Sequence, residues 1–182
     1  MALRAQKLTA QQAGRLMRRF YKAYGPDVMR DAYWWESPKD ASISGGEHAW
    51  AFYDDALLEG MQTGKQHANG GLIGWGTSQL QLDVADDDEA VMAAGVFPEF
   101  QRRGYRKQIL DWMCDWAREQ GANYAVTNTN NSNEAQIRRK RREAEQGGPW
   151  IYAGERWYPG PGYTIFVRDL NPEEETDVQD PR

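Results

Sequence analysis

A chain of 182 residues has room for one domain with a sizeable core and is short for two. Its net charge is −5, with basic residues gathered at 102–107 and 138–142, which suits a local phosphate-bearing ligand better than wholesale coating of DNA. A single cysteine, Cys114, excludes an intrachain disulfide, and no apolar run reaches the roughly 18 residues of a membrane span.

Residues 2–8 allow a short first strand. Thr9 and Gln12 are spaced as a capping box, and Ala13, Leu16, Met17, Phe20, Tyr21 and Tyr24 form a helical stripe that Gly25-Pro26 stops. Residues 27–36 read as a second short helix and 37–46 as loop. Residues 48–53 fit a strand, although Trp50, Tyr53, Leu57 and Met61 also share one helical face. The adopted reading is a strand through Tyr53, then a helical insertion to Gln62 and a loop over 64–71. His48 and His67 have no partners at ligand spacing, so no metal site is expected. A strand alternates from Leu72 through Leu82, and Asp86 to Glu89 reads as a solvated hairpin loop. With eight Trp and nine Tyr, the core is expected to be aromatic rather than aliphatic.

The next stretch carries the most chemistry. An apolar strand over 91–97 stops at Pro98, which lacks the N–H a central strand needs. A basic turn follows, Gln101-Arg102-Arg103-Gly104-Tyr105-Arg106, and then an amphipathic helix to Gln120 with Ile109, Trp112, Met113, Trp116 and Ala117 on one face. First-turn N–H groups and the helix dipole favour phosphate there, and Gly104 lets a ligand approach the backbone. Arg102, Arg103, Arg106 and Lys107 add charge at the same point. A plain strand–helix connection with a basic face fits the same spacing, so both readings stay open on the motif alone.

Downstream, 123–128 reads as a strand, and a helix follows with Asn131 and Glu134 spaced as cap and third helical residue. Its basic run, 138–142, reads first as a solvated face and second as a contact for phosphate or RNA. Gly147-Gly148 ends the helix, and strands over 150–157 and 163–169 flank P-G-P-G. Residues 171–182 form an acidic tail expected to be disordered. The start of the sequence has no apolar leader, and the expected location is cytoplasmic.

V-F-P-E-F followed by Q-R-R-G-Y-R resembles motif A of the GNAT superfamily of acyl-CoA-dependent N-acyltransferases, whose pattern is (Q/R)-x-x-G-x-(G/A) after a V-x-P strand end. Gln101, Arg103, Gly104 and Tyr105 fit; Arg106 stands where the family has Gly or Ala. The likeness is strongest over 89–121 and extends through element order to 1–170, which it implies is one domain. It implies an α+β fold, β-α-α-β-β-β-α-β-α-β-β, with a mixed, mostly antiparallel sheet flanked by helices. It further implies acetyl-CoA as acyl donor, held by Val96, Phe97, Pro98, Gln101 through Lys107 and Asn133, and a primary amine as acceptor. The family's glutamate base falls on Ala90, with Glu89 adjacent, and its tyrosine acid falls on Lys140, leaving Tyr105 and Tyr152 as substitutes. Glu89 and Tyr152 are the catalytic candidates. A non-catalytic acyl-CoA-binding module, and an interaction domain using helix 138–142, are the alternatives. Neither membrane nor nucleic acid is an expected partner, and a homodimer stays open.

Overall fold

The computed structural model describes residues 3–24, 48–59, 70–82, 88–131, 133–156 and 162–172. The chain runs β1 (Arg4–Lys7), α1 (Ala10–Tyr24), β2 (His48–Tyr53), a single helical turn α2 (Ala56–Glu59), β3 (Leu72–Gln81) and β4 (Glu89–Val96). A 3-10 turn (Pro98–Phe100), α3 (Tyr105–Glu119), β5 (Tyr124–Asn130), α4 (Glu134–Glu145), β6 (Ile151–Arg156) and β7 (Tyr163–Asp169) complete it. The strands form one sheet in the order β1-β2-β3-β4-β5-β7-β6, antiparallel everywhere except between β4 and β5. This is the mixed, helix-flanked α+β architecture that the sequence implies. The expected helix at 27–36, the loops at 37–46 and 64–69, and the tail from 173 onward lie outside the described residues.

Local signals explain where elements begin and end. The capping box forms at α1: Thr9 N donates to Gln12 Oε1 at 2.8 Å and Gln12 N donates to Thr9 Oγ1 at 3.3 Å. The 48–53 segment is a strand, paired on both sides, and the insertion after it begins with the turn α2. Two boundaries differ from expectation. Glu89 opens β4 instead of closing the loop, because it pairs with Gln81 and Tyr124. The cap of α4 is Asn133 rather than Asn131: Asn133 Oδ1 accepts from Gln136 N at 3.3 Å, while Asn131 Oδ1 accepts from Thr164 Oγ1 at 2.7 Å.

Glycines let the helices approach the sheet. Trp75 on β3 lies opposite Gly95 on β4, and a Cβ on Gly95 would stand 2.3 Å from Trp75 Nε1 and 2.7 Å from Phe20 of α1. On the other face, Gly74 and Gly76 admit Ile109 and Met113 of α3. There Trp50 and Phe52 of β2 meet Trp112 and Trp116 at ring-centroid distances of 4.7 to 5.4 Å, mostly edge to face. Among the described residues the core is mixed rather than aromatic: Phe52, Phe97, Phe100 and Phe166 are its largest fully buried side chains, but Leu, Ile, Met, Val and Ala outnumber the rings. Helices α1 and α3 cover opposite faces of the sheet.

One irregularity positions everything that follows. β4 and β5 pair only from Glu89–Met92 to Tyr124–Thr127. Beyond Met92, β4 continues beside β3 to Val96, and β5 continues beside β7 to Asn130. The sheet therefore opens into a fork whose vertex is the Met92–Thr127 pair.

Candidate active site

The fork is the mouth of a cleft of about 810 Å³, within the range of small-molecule sites. Its walls come from both faces of the sheet: Phe20, Tyr21 and Tyr24 of α1, Ala94 to Val96 of β4, the 101–107 turn, and Asn133 to Glu143 of α4.

At the entrance, Gln101 to Gly104 form a tight turn with two residues in the left-handed region, Arg102 at φ 61° and Gly104 at φ 79°. Gly104 is the N-cap of α3 and carries no side chain to satisfy the first-turn N–H groups. Those donors, the helix dipole and the exposed Arg102 and Lys107 face the cleft mouth. Lys107 is partly neutralised by Asp111, 2.7 Å away.

Along the β4 edge, strand alternation turns the main-chain groups of Ala94 and Val96 away from β3 and toward the gap, since Phe97 N is already bonded to Ile73 O. Two side chains answer their carbonyls. Tyr24 Oη donates to Val96 O and receives a bond from Gln101 Nε2. Arg106 Nε donates to Ala94 O at 3.3 Å. The amide orientation of Gln136 that satisfies its neighbours sets its oxygen 2.7 Å from both terminal nitrogens of Arg106. Arg106 thus spans the gap from β4 to α4. Desolvation, reinforced by Arg139, lowers it to about 10, and it stays protonated at neutral pH. Burial raises the Tyr24 phenol above its ordinary value.

At the vertex stands Lys140. Only 4% of it is exposed, and its Nζ donates to Thr127 Oγ1 at 2.5 Å. The ammonium lies 4.6 Å from the Phe166 ring and 5.5 Å from the Trp150 ring. Burial, with Arg106 and Arg139 adding like charge and Glu143 opposing them, pulls it down to about 7.

Of the residues expected from sequence, Val96, Gln101, Arg102, Gly104, Tyr105, Arg106, Lys107 and Asn133 line the cleft. Phe97 is a core residue, and Phe97, Pro98 and Arg103 are not among the lining groups. Tyr105 commits its hydroxyl to the buried Asp54 carboxylate, 2.5 Å away. Glu89 stands at the paired end of β4 and Tyr152 on exposed β6 beneath the Arg141 guanidinium; neither lines the cleft. Sequence reasoning missed Tyr24 and Gln136, and it read Lys140 both as the residue at a tyrosine's position and as part of a solvated basic face; the second reading fails for Lys140, which α4 turns inward and buries. The signal for Lys140 was available: Asn133, Ile137, Lys140 and Ala144 recur at helical spacing, which puts the lysine on the apolar stripe. Among the described residues no group of three or more metal-ligating side chains forms, and no helix is long and apolar enough to cross a membrane.

A parted parallel strand pair, with an uncapped, basic helix start at its open end, leaves an elongated cleft with positive charge at its mouth. The chain belongs to the acetyltransferase (GNAT) family, whose profile matches residues 15–139. No curated protein sequence matches it. Among solved structures, the ribosomal-protein-S18-alanine N-acetyltransferase from Escherichia coli is similar at 18% identity over 96% of this chain and 97% of that one, with a TM-score of 0.60. The NatC complex bound to Gag peptide and CoA is similar at 11% identity, 93% and 99% coverage, and a TM-score of 0.57. Nourseothricin acetyltransferase aligns at 17% identity and a TM-score of 0.50, and there the match spans 68% of this chain and only 65% of that one. At these identities the likeness is one of fold.

Proposed function

We propose that residues 1–170 act as one cytoplasmic acyltransferase domain that moves an acetyl group from acetyl-CoA to a primary amine on a small molecule, a peptide N-terminus or a lysine. The observation that carries this reading is the fork between β4 and β5 with the Gly104 turn at its open end. A pyrophosphate suits the first-turn N–H groups of α3 beside Arg102 and Lys107, and an amide-bearing arm suits the free edge of β4. The Val96 N–H, turned toward the gap by strand alternation, suits a thioester oxygen that gains charge during attack. Holding the amine against the carbonyl supplies the proximity term, and the acceptor must enter as the neutral amine. Glu89 and Tyr152 have no part in this scheme, because neither borders the cleft.

One observation favours a second reading. Arg106 lies across the gap and occupies the Ala94 carbonyl that a ligand arm would use. A protein that binds acyl-CoA without turning it over would tolerate that plug. Release of free thiol from acetyl-CoA, followed over a panel of amines with mass-spectrometric detection of acetylated product, separates the two. Turnover with any amine supports the enzyme; saturable binding without turnover supports the binding module. No binding of acetyl-CoA by calorimetry would overturn both.

A further inference from the structure

We propose that Lys140 protonates the departing sulfur of the acyl thioester and then takes up the proton that the acceptor nitrogen must lose. This rests on the acyl-transfer reading above. Arg138, Arg139, Arg141 and Arg142 on the same helix are exposed, and two of them pair with Glu134 and Glu155. Lys140 alone among them turns inward. A buried ammonium ordinarily demands a carboxylate, and among the described residues none pairs with this one. Its polar partner is the Thr127 hydroxyl, on the last β5 residue that faces β4. The ammonium therefore sits at the vertex of the fork, at the deep end of the same cleft whose mouth is the Gly104 turn.

A packing role does not call for charge here, since Phe166 and Trp150 would accept an apolar side chain equally well. Among the described residues, the ionisable groups around it are Arg106 from α3 and Arg139 and Glu143 from α4; β5 and β7 present Thr127 and Phe166, which do not titrate. Burial first, and then two cations against one carboxylate, pull the lysine down to about 7, which suits a group that both gives and takes a proton.

The step balances without an outside reagent. A neutral amine attacks the thioester carbonyl, the C–N bond forms, the C–S bond breaks, and the electron pair leaves on sulfur. The Lys140 ammonium gives its proton to that sulfur, and the free thiol departs. The lysine, now neutral, takes the proton of the new amide nitrogen and is an ammonium again.

Coenzyme A itself tests this, because it carries the thiol and needs no acceptor. In the full chain, the ultraviolet absorbance of bound thiolate is followed as pH rises, for wild type, Lys140→Met and Lys140→Arg. Wild type is expected to hold about tenfold more thiolate at neutral pH than free coenzyme A does. Lys140→Met is expected to return the thiol to its free behaviour, and Lys140→Arg to keep the stabilisation through its fixed charge. Identical titrations in wild type and Lys140→Met, with both still binding, overturn the role of Lys140 and leave the acyl-transfer reading standing. Failure of wild type to bind coenzyme A removes that reading and this one together. A measurement on wild type alone guards against misfolded variants: acylation of lysines by acetic anhydride, read by peptide mass spectrometry across pH. Lys140 is expected to react near neutrality and to be protected by coenzyme A. Reactivity like that of exposed Lys7, which lies away from the cleft, without protection, overturns the proposal.

Discussion

Replacing Gly104 by alanine and by glutamate separates backbone strain from ligand charge. Gly104 caps α3 at φ 79° and ψ −2°, and a Cβ built on it meets nothing within 4 Å. Gly104→Ala therefore brings no clash, only the left-handed strain of an L-residue, about 1–2 kcal/mol. Gly104→Glu carries the same strain, while its carboxylate at the positive end of α3 returns about 0.3–1 kcal/mol. The two variants are expected to melt within a few degrees of each other. Binding of coenzyme A is expected to divide them. A carboxylate about 5 Å from one phosphate charge, at an effective dielectric near 20, costs roughly 3 kcal/mol. That corresponds to a Kd weaker on the order of a hundredfold. Calorimetry of both variants at matched ionic strength reads the difference directly, and added salt is expected to narrow it. Equal affinities in the two variants, with wild-type binding intact, would refute a pyrophosphate at this turn.

Four further outcomes are expected. Arg106→Ala empties the gap and frees Ala94 O; coenzyme A is then expected to bind about tenfold tighter, as about 1.5 kcal/mol of guanidinium bonding no longer opposes it. Weaker binding by calorimetry would mean that the guanidinium holds ligand instead. Tyr105→Phe leaves the buried Asp54 carboxylate short of a donor, and chemical denaturation is expected to report a loss of about 1.5–3 kcal/mol with coenzyme A affinity little changed. Gly95→Ala forces a Cβ to within 2.3 Å of the Trp75 ring, and a loss of about 3 kcal/mol or no soluble protein is expected. Lys140 is held at about 7 against an ordinary 10.5, so its penalty on folding is complete below the lower value, shrinks as pH rises between the two and is gone above the upper one. Lys140→Met is accordingly expected to raise Tm at neutral pH, by an amount on the order of a few kcal/mol in stability, and the gain is expected to shrink in alkali. An unchanged or lower Tm at neutral pH would mean that the lysine is better solvated than its burial implies.

The elements were legible where short-range chemistry decides them. Thr9 and Gln12 close on each other within one turn, Gly104 takes the left-handed conformation that the start of α3 needs, and Gly147 at φ 77° follows the end of α4. The 48–53 segment read two ways because its aromatic residues satisfy both periods, and pairing with β1 and β3 resolved it. The cap of α4 was misplaced by two residues because asparagines crowd that stretch, and Thr164 on distant β7 claims Asn131.

The sequence by itself determined the order of most strands and helices and a basic glycine turn opening a helix, since these depend on spacing within a few residues, while the α+β class came from the resemblance to a known family. Only the tertiary structure decided that β4 and β5 part after Met92, that Arg106 crosses the opening, and that Lys140 stands at its vertex with a hydroxyl as its hydrogen-bond partner and, among the described residues, no paired carboxylate. Those facts depend on how α4 is rolled against β5 and on which strand keeps its neighbour. Long-range packing sets both, and burial then gives a lysine in a run of arginines a chemistry that its neighbours do not have.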